Sequence, residues 1–165
     1  MLATSAYTAA RSGDRTTALV MADEARRAAR NLPQVPPAGR LFPITPAAVD
    51  LYAVGVHWAL GDAGDAPEAG TNLHPGQFPT AERRPRMHTD LARAWWQGDR
   101  TAQAARELLA AARVSPGEAR DRPAIRAIAQ DLATRHPRVE GVRELAAAAR
   151  TTPTAPVMPS RANHS

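Results

Sequence analysis

Three features of this sequence predict an all-α fold built as an array of antiparallel helical hairpins, an α-solenoid. The first is the stretch from Gln77 to Arg113, which reads as two helices joined by a tight turn. Met87, Leu91, Ala94 and Trp95 recur at helical spacing, Gly98-Asp99 interrupts, and Ala105, Leu108, Leu109 and Ala112 resume the period on a second helix. The second is that the same turn returns as Ser12-Gly13-Asp14-Arg15 and as Leu60-Gly61-Asp62, each after an apolar run and before an alanine-rich one. The third is the smallness of the apolar faces. Alanine lets helices approach closely, but one such hairpin buries too little to fold, so about three or more must share a core. Three to four hairpins over residues 1–150 meet that need.

In chain order, Ala3, Ala6, Tyr7 and Ala10 keep a helical period from the start, and Gly13 ends that helix. Asp14 is placed to cap the next one, whose stripe is Ala18, Ala22, Ala25, Ala29 and Leu32. Pro33, Pro36, Pro37 and Gly39 make residues 33–44 a linker. Thr45-Pro46 restarts a helix, with threonine as cap and proline at the first position, where no amide hydrogen is needed. Val49, Tyr52, Ala53, Val56 and Leu60 share its face. Gly64, Pro67 and Gly70 shorten or distort the partner helix within Asp62 to Leu73. Thr80 is a candidate cap for the central hairpin, but Pro85 delays the regular helix to near Arg84. Ser115-Pro116-Gly117-Glu118 has the pattern of a capping box before a short helical turn. Asp121 and Pro123 then open a helix carrying Ile125, Ile128, Ala129 and Leu132, stopped at His136-Pro137. Val139, Val142, Leu145, Ala146 and Ala149 form the last helix. Residues 151–165 hold three prolines and no period, and we expect a disordered tail.

All 21 basic residues are arginine and 37 residues are alanine, a bias expected of a GC-rich, actinobacterial coding sequence rather than of a functional demand. The net charge of +5 is not gathered into a basic run. Arginines alternate with carboxylates in Asp23-Glu24-Ala25-Arg26-Arg27 and Glu118-Ala119-Arg120-Asp121-Arg122, the pattern of a solvated helical face. The chain contains no cysteine, which removes disulfides and thiolate metal sites and fits a reducing compartment. No signal segment and no membrane-length apolar run is present, so a cytoplasmic location is expected.

No nucleophile elbow, no phosphate-cradling Gly-x-x-x-x-Gly-Lys and no His-Glu-x-x-His occurs, so neither catalytic residues nor a cofactor are expected. The five histidines lack a ligand spacing such as i, i+4, and structural roles are expected of them in preference to metal binding. Asp90 has Arg86 and Arg93 within helical reach, and Asp99 stands where a helix cap belongs; both read as structural carboxylates. Trp95 and Trp96 are adjacent on one helix and cannot face the same way, so one must leave the hairpin seam for a neighbouring unit or a groove. By spacing, His57, Trp58, His88, Arg93 and Trp96 are the candidate contacts for a ligand or peptide.

Four pieces follow one another between Ser5 and Arg150: Val56-His57-Trp58-Ala59-Leu60-Gly61-Asp62, Phe78-Pro79-Thr80-Ala81-Glu82-Arg83-Arg84, Asp90-Leu91-Ala92-Arg93-Ala94-Trp95, and Arg120-Asp121-Arg122-Pro123-Ala124-Ile125-Arg126. Their order resembles the tetratricopeptide-like C-terminal region of actinobacterial Xre-type transcriptional regulators. The resemblance implies a tetratricopeptide-like stack that mediates dimerisation or senses a peptide or small ligand, beside an N-terminal helix-turn-helix that binds DNA. Nothing ahead of Ser5 could hold that helix-turn-helix, so the DNA-reading half is expected to be missing. A non-enzymatic module with a protein or peptide partner, or a second copy of itself, is therefore the leading expectation, without membrane attachment and without direct DNA binding. One rival is a regulator that reads DNA itself, which requires a basic helix presented to base edges. Another is a small-molecule enzyme on a helical scaffold, which requires a closed pocket joining two carboxylates or a perturbed histidine.

Overall fold

The computed structural model describes residues 1–34 and 44–150. Within them every regular element is helical: α1 (Leu2–Arg11), α2 (Arg15–Ala29), α3 (Pro46–Ala59), α4 (Asp65–Ala69), a single 3-10 turn (Pro75–Gln77), α5 (Arg83–Gln97), α6 (Thr101–Val114), α7 (Pro116–Asp121), α8 (Pro123–Arg135) and α9 (Val142–Arg150). The all-α expectation holds. The centre of the proposed linker and the proposed disordered tail lie outside the described residues. Among the described residues no helix is long and apolar enough to cross a membrane.

Consecutive helices pair as α1 with α2, α3 with α4, and α5 with α6, while α1 also packs on α3 and α3 on α5. The core changes character along this series. Ala6, Ala10, Ala18 and Ala22 meet Val56 at one end. Val54, Phe78, Met87 and Leu91 fill the middle. Leu108, Ile125, Ile128, Leu132 and Leu145 form the other end. The tryptophans of α5 diverge as their adjacency requires, with Trp95 against the middle cluster and Trp96 against the C-terminal one. Helix α4 has only five residues, as its glycines and proline foretell, yet it buries Ala66 and Pro67.

The repeated Gly-Asp turns share one backbone motif but not one register. Gly13 lies at φ 82° and Gly61 at φ 79°, the left-handed conformation that glycine adopts without a Cβ clash. Each of these turns closes with two hydrogen bonds back into the helix, Gly13 N to Ala10 O with Asp14 N to Ala9 O, and Gly61 N to Trp58 O with Asp62 N to His57 O, which caps the helix C-terminus. In the third turn the same two bonds run from Asp99 and Arg100 to Trp96 and Trp95. The left-handed residue there is Asp99, at φ 57°. Asp99 is thus no helix cap: Arg100 holds the cap position of α6, without a side-chain bond. Gly98 is needed for a different reason, since a Cβ on it would lie 2.7 Å from the carbonyl oxygen of Ala63 in the preceding turn.

Of the other proposed helix starts, two caps form and three do not. The Asp14 side chain accepts from Thr17 N, and Thr45 Oγ1 accepts from Ala48 N. Thr80 does not cap α5, whose cap position is Glu82, and α8 begins after Arg122 rather than Asp121. The Ser115 box also fails. The Ser115 amide already donates to Ala111 O at 2.8 Å to close α6, and Glu118 turns instead to Arg122 at 3.1 Å.

Candidate functional site

Three successive hairpins contribute their first helices to one cleft of about 310 Å³. Tyr7 comes from α1, Leu51, Tyr52 and Gly55 from α3, and Arg86, Asp90 and Arg93 from α5, with Glu118 of α7 at one end. That volume sits at the lower end of the range of about 300–1,000 Å³ usual for ligand clefts. Gly55 lets the wall close, because a Cβ there would stand 3.3 Å from the Tyr7 ring. Tyr52 remains 43% exposed and offers its ring to the opening.

The charged floor is built on successive turns of α5. Arg93 donates to Asp90 at 2.9 Å, and Arg86 approaches the other carboxylate oxygen at 3.5 Å. Arg86 reaches outward with 58% of its side chain exposed, whereas Arg93 is sheltered at 13%. The Arg93 guanidinium carbon lies 4.1 Å from the centroid of the Trp58 ring, a cation–π contact made stronger by exclusion of water. One face of this arginine is thereby fixed by an indole and one edge by a carboxylate.

The five residues singled out by spacing do not form one site. Trp58 and Arg93 meet, and Arg93 lines the cleft. His57 lies at the end of α3, where its Nδ1 is 3.2 Å from Asp62, which also accepts from Arg15 at 2.7 Å. The Arg15 guanidinium holds the Asp62 carboxyl below the usual carboxylate range, partly offset by burial and reinforced by His57. His88 is buried in the seam of α5 and α6, with Nδ1 2.7 Å from Glu107. Trp96 faces the C-terminal core, edge-on to His136 with ring centroids 6.1 Å apart. Tyr7, Tyr52 and Arg86 were missed as site residues. The two tyrosines read as members of helical stripes, and only the packing of α1 on α3 turns them toward a common space.

Outside the cleft lining, His57, Asp62 and Asp65 bring one ligand-type atom each within 4.8 Å of one another. A search for paired histidines passes over this cluster because its other members are carboxylates.

No family model matches the chain, and neither a curated protein nor a solved structure matches it.

Proposed function

We propose that the chain is a non-enzymatic binding module of tetratricopeptide-like stacked hairpins, related to the sensing half of an Xre-type regulator, that receives a peptide or protein segment in its cleft. The observation that carries this is the lining of the cleft by the first helix of each successive hairpin. Such a surface continues from unit to unit and suits an extended chain. Tyrosine faces and an indole-stacked arginine supply rigid contacts of the kind that dominate peptide interfaces. Asp90, held between two guanidinium groups, is suited to fixing Arg93 rather than to carrying protons.

Direct DNA reading finds less support. Arginines alternate with carboxylates along the chain, and among the described residues eight of them, Arg15, Arg26, Arg86, Arg93, Arg113, Arg120, Arg122 and Arg135, pair with carboxylates of the chain itself, which weakens the case for a face dedicated to phosphates. We take the module to act in the cytoplasm, in keeping with a sequence free of cysteine.

Selection from a displayed random-peptide library, followed by titration of the selected peptides, tests the proposal. The peptides should bind the wild type and lose about tenfold in affinity, ~1.4 kcal/mol, with Tyr52→Ala, which removes a half-exposed cleft ring. Peptides that bind both proteins equally would place the interaction elsewhere and end the cleft assignment.

A further inference from the structure

We infer that His57, Asp62 and Asp65 form a binding site for a divalent transition-metal ion at the α3–α4 turn, separate from the peptide cleft. His57 stands in the last turn of α3, Asp62 directly follows the left-handed Gly61, and Asp65 is the first residue of α4. The turn assembles them: the Asp62 amide folds back to the His57 carbonyl at 2.9 Å, which carries the Asp62 side chain to the imidazole. His57 Nδ1 and Asp62 Oδ2 are then 3.2 Å apart. That spacing suits a metal as well as a hydrogen bond, since an ion with bonds of about 2.0–2.1 Å holds neighbouring tetrahedral ligand atoms about 3.3 Å apart. Asp65 completes three ligands, all within 4.8 Å of one another, and being exposed it can swing inward without disturbing packing.

Arg15 fits this assignment as an orienting partner. It donates to Asp62 Oδ1 at 2.7 Å, which leaves Oδ2 directed at His57. Outer hydrogen bonds of this kind fix the orientation of a ligating carboxylate. One imidazole nitrogen with two carboxylate oxygens is a borderline donor set that suits Zn²⁺ or its first-row neighbours over Mg²⁺ or Ca²⁺, which prefer oxygen alone. Three protein ligands leave further positions to water. A bound ion would tie the end of α3 to α4 and, through Arg15, to hairpin one.

The test is calorimetric titration of the metal-free full chain with Zn²⁺ alone, with Co²⁺ absorption as a second readout, on the wild type, His57→Ala and Asp65→Asn. The wild type should bind one ion, show the visible bands of tetrahedral Co²⁺, and melt at higher temperature with Zn²⁺. Each variant should lose at least about tenfold in affinity, and the Co²⁺ bands should vanish in His57→Ala. Asp65→Asn changes an exposed side chain, so it separates loss of a ligand from loss of the fold. Identical titrations for the wild type and His57→Ala would show that no site exists at the turn. Unchanged affinity in Asp65→Asn would equally overturn the three-ligand assignment.

Discussion

Hairpin one and the C-terminal helices solve the same packing problem with different side chains. In α1 and α2 the buried residues are Ala6, Ala10, Ala18, Ala22, Ala25 and Ala29. At the other end they are Leu108, Leu109, Ile125, Ile128, Leu132, Val142 and Leu145 with smaller neighbours. A leucine carries three more carbons than an alanine, and each buried methylene is worth about 0.8 kcal/mol. Alanine seams therefore gain close approach but little hydrophobic free energy, and hairpin one must lean on its neighbour. It does so through Val49 and Val56 of α3 and through two ion pairs, Arg15 with Asp62 at 2.7 Å and Arg26 with Asp50 at 3.4 Å. The difference teaches that the two ends should differ in local stability although both are helical.

Five measurements sharpen or break this contrast. The largest effect belongs to the leucine-rich end, where Leu108→Ala should destabilise by about 2–5 kcal/mol in urea unfolding, because Leu108 is fully buried and leaves a cavity. At the other end Ala18→Leu should also destabilise, by about 1–3 kcal/mol, through overpacking of a seam with no room for it. A neutral Ala18→Leu would mean that the alanine seam is not tightly closed and that the contrast is one of composition only. Gly98→Ala belongs to the same class, about 1–3 kcal/mol by thermal melting, because the new methyl meets a backbone carbonyl that cannot rotate away.

Hydrogen exchange reads the contrast directly. Amides in the centres of α1 and α2 should exchange faster than those of α5 and α6, through local opening of the weaker hairpin. Equal protection would show one cooperative unit. The smallest effect concerns pH. Asp62 has a folded pKa lowered from 3.8, so its contribution is present above that value and is lost as pH falls through the lower folded value. Asp62→Asn should therefore lower the melting temperature near neutrality and narrow its gap to the wild type below about pH 4. A gap independent of pH would assign the effect to packing.

Much of the helical layout is legible locally because it depends on local chemistry. Thr45 with Pro46, the period of Ile125, Ile128 and Leu132, and the shortening of α4 all follow from neighbours in the chain. The failures have a common cause, competition from groups the local pattern does not contain. Ser115 loses its capping box because its amide belongs to α6, and Asp99 takes the left-handed position because the turn's two closing bonds start at Asp99 rather than at Gly98. The candidate site was read least well. His57, His88 and Trp96 each carry plausible chemistry, but His57 faces the α3–α4 turn, His88 the α5–α6 seam and Trp96 the C-terminal core.

By itself the sequence determined that the chain is helical, where most helices begin and end, and that small faces oblige them to stack, since hydrogen bonding, helical period and side-chain size act between near neighbours. Tertiary structure alone decided which side chains meet. Arg93 over Trp58 is a contact between residues on different hairpins, and the cleft between Tyr7, Tyr52 and Arg86 draws on three of them. Such encounters depend on how each helix is rotated against the next, and that rotation is set by the whole core rather than by any segment of it.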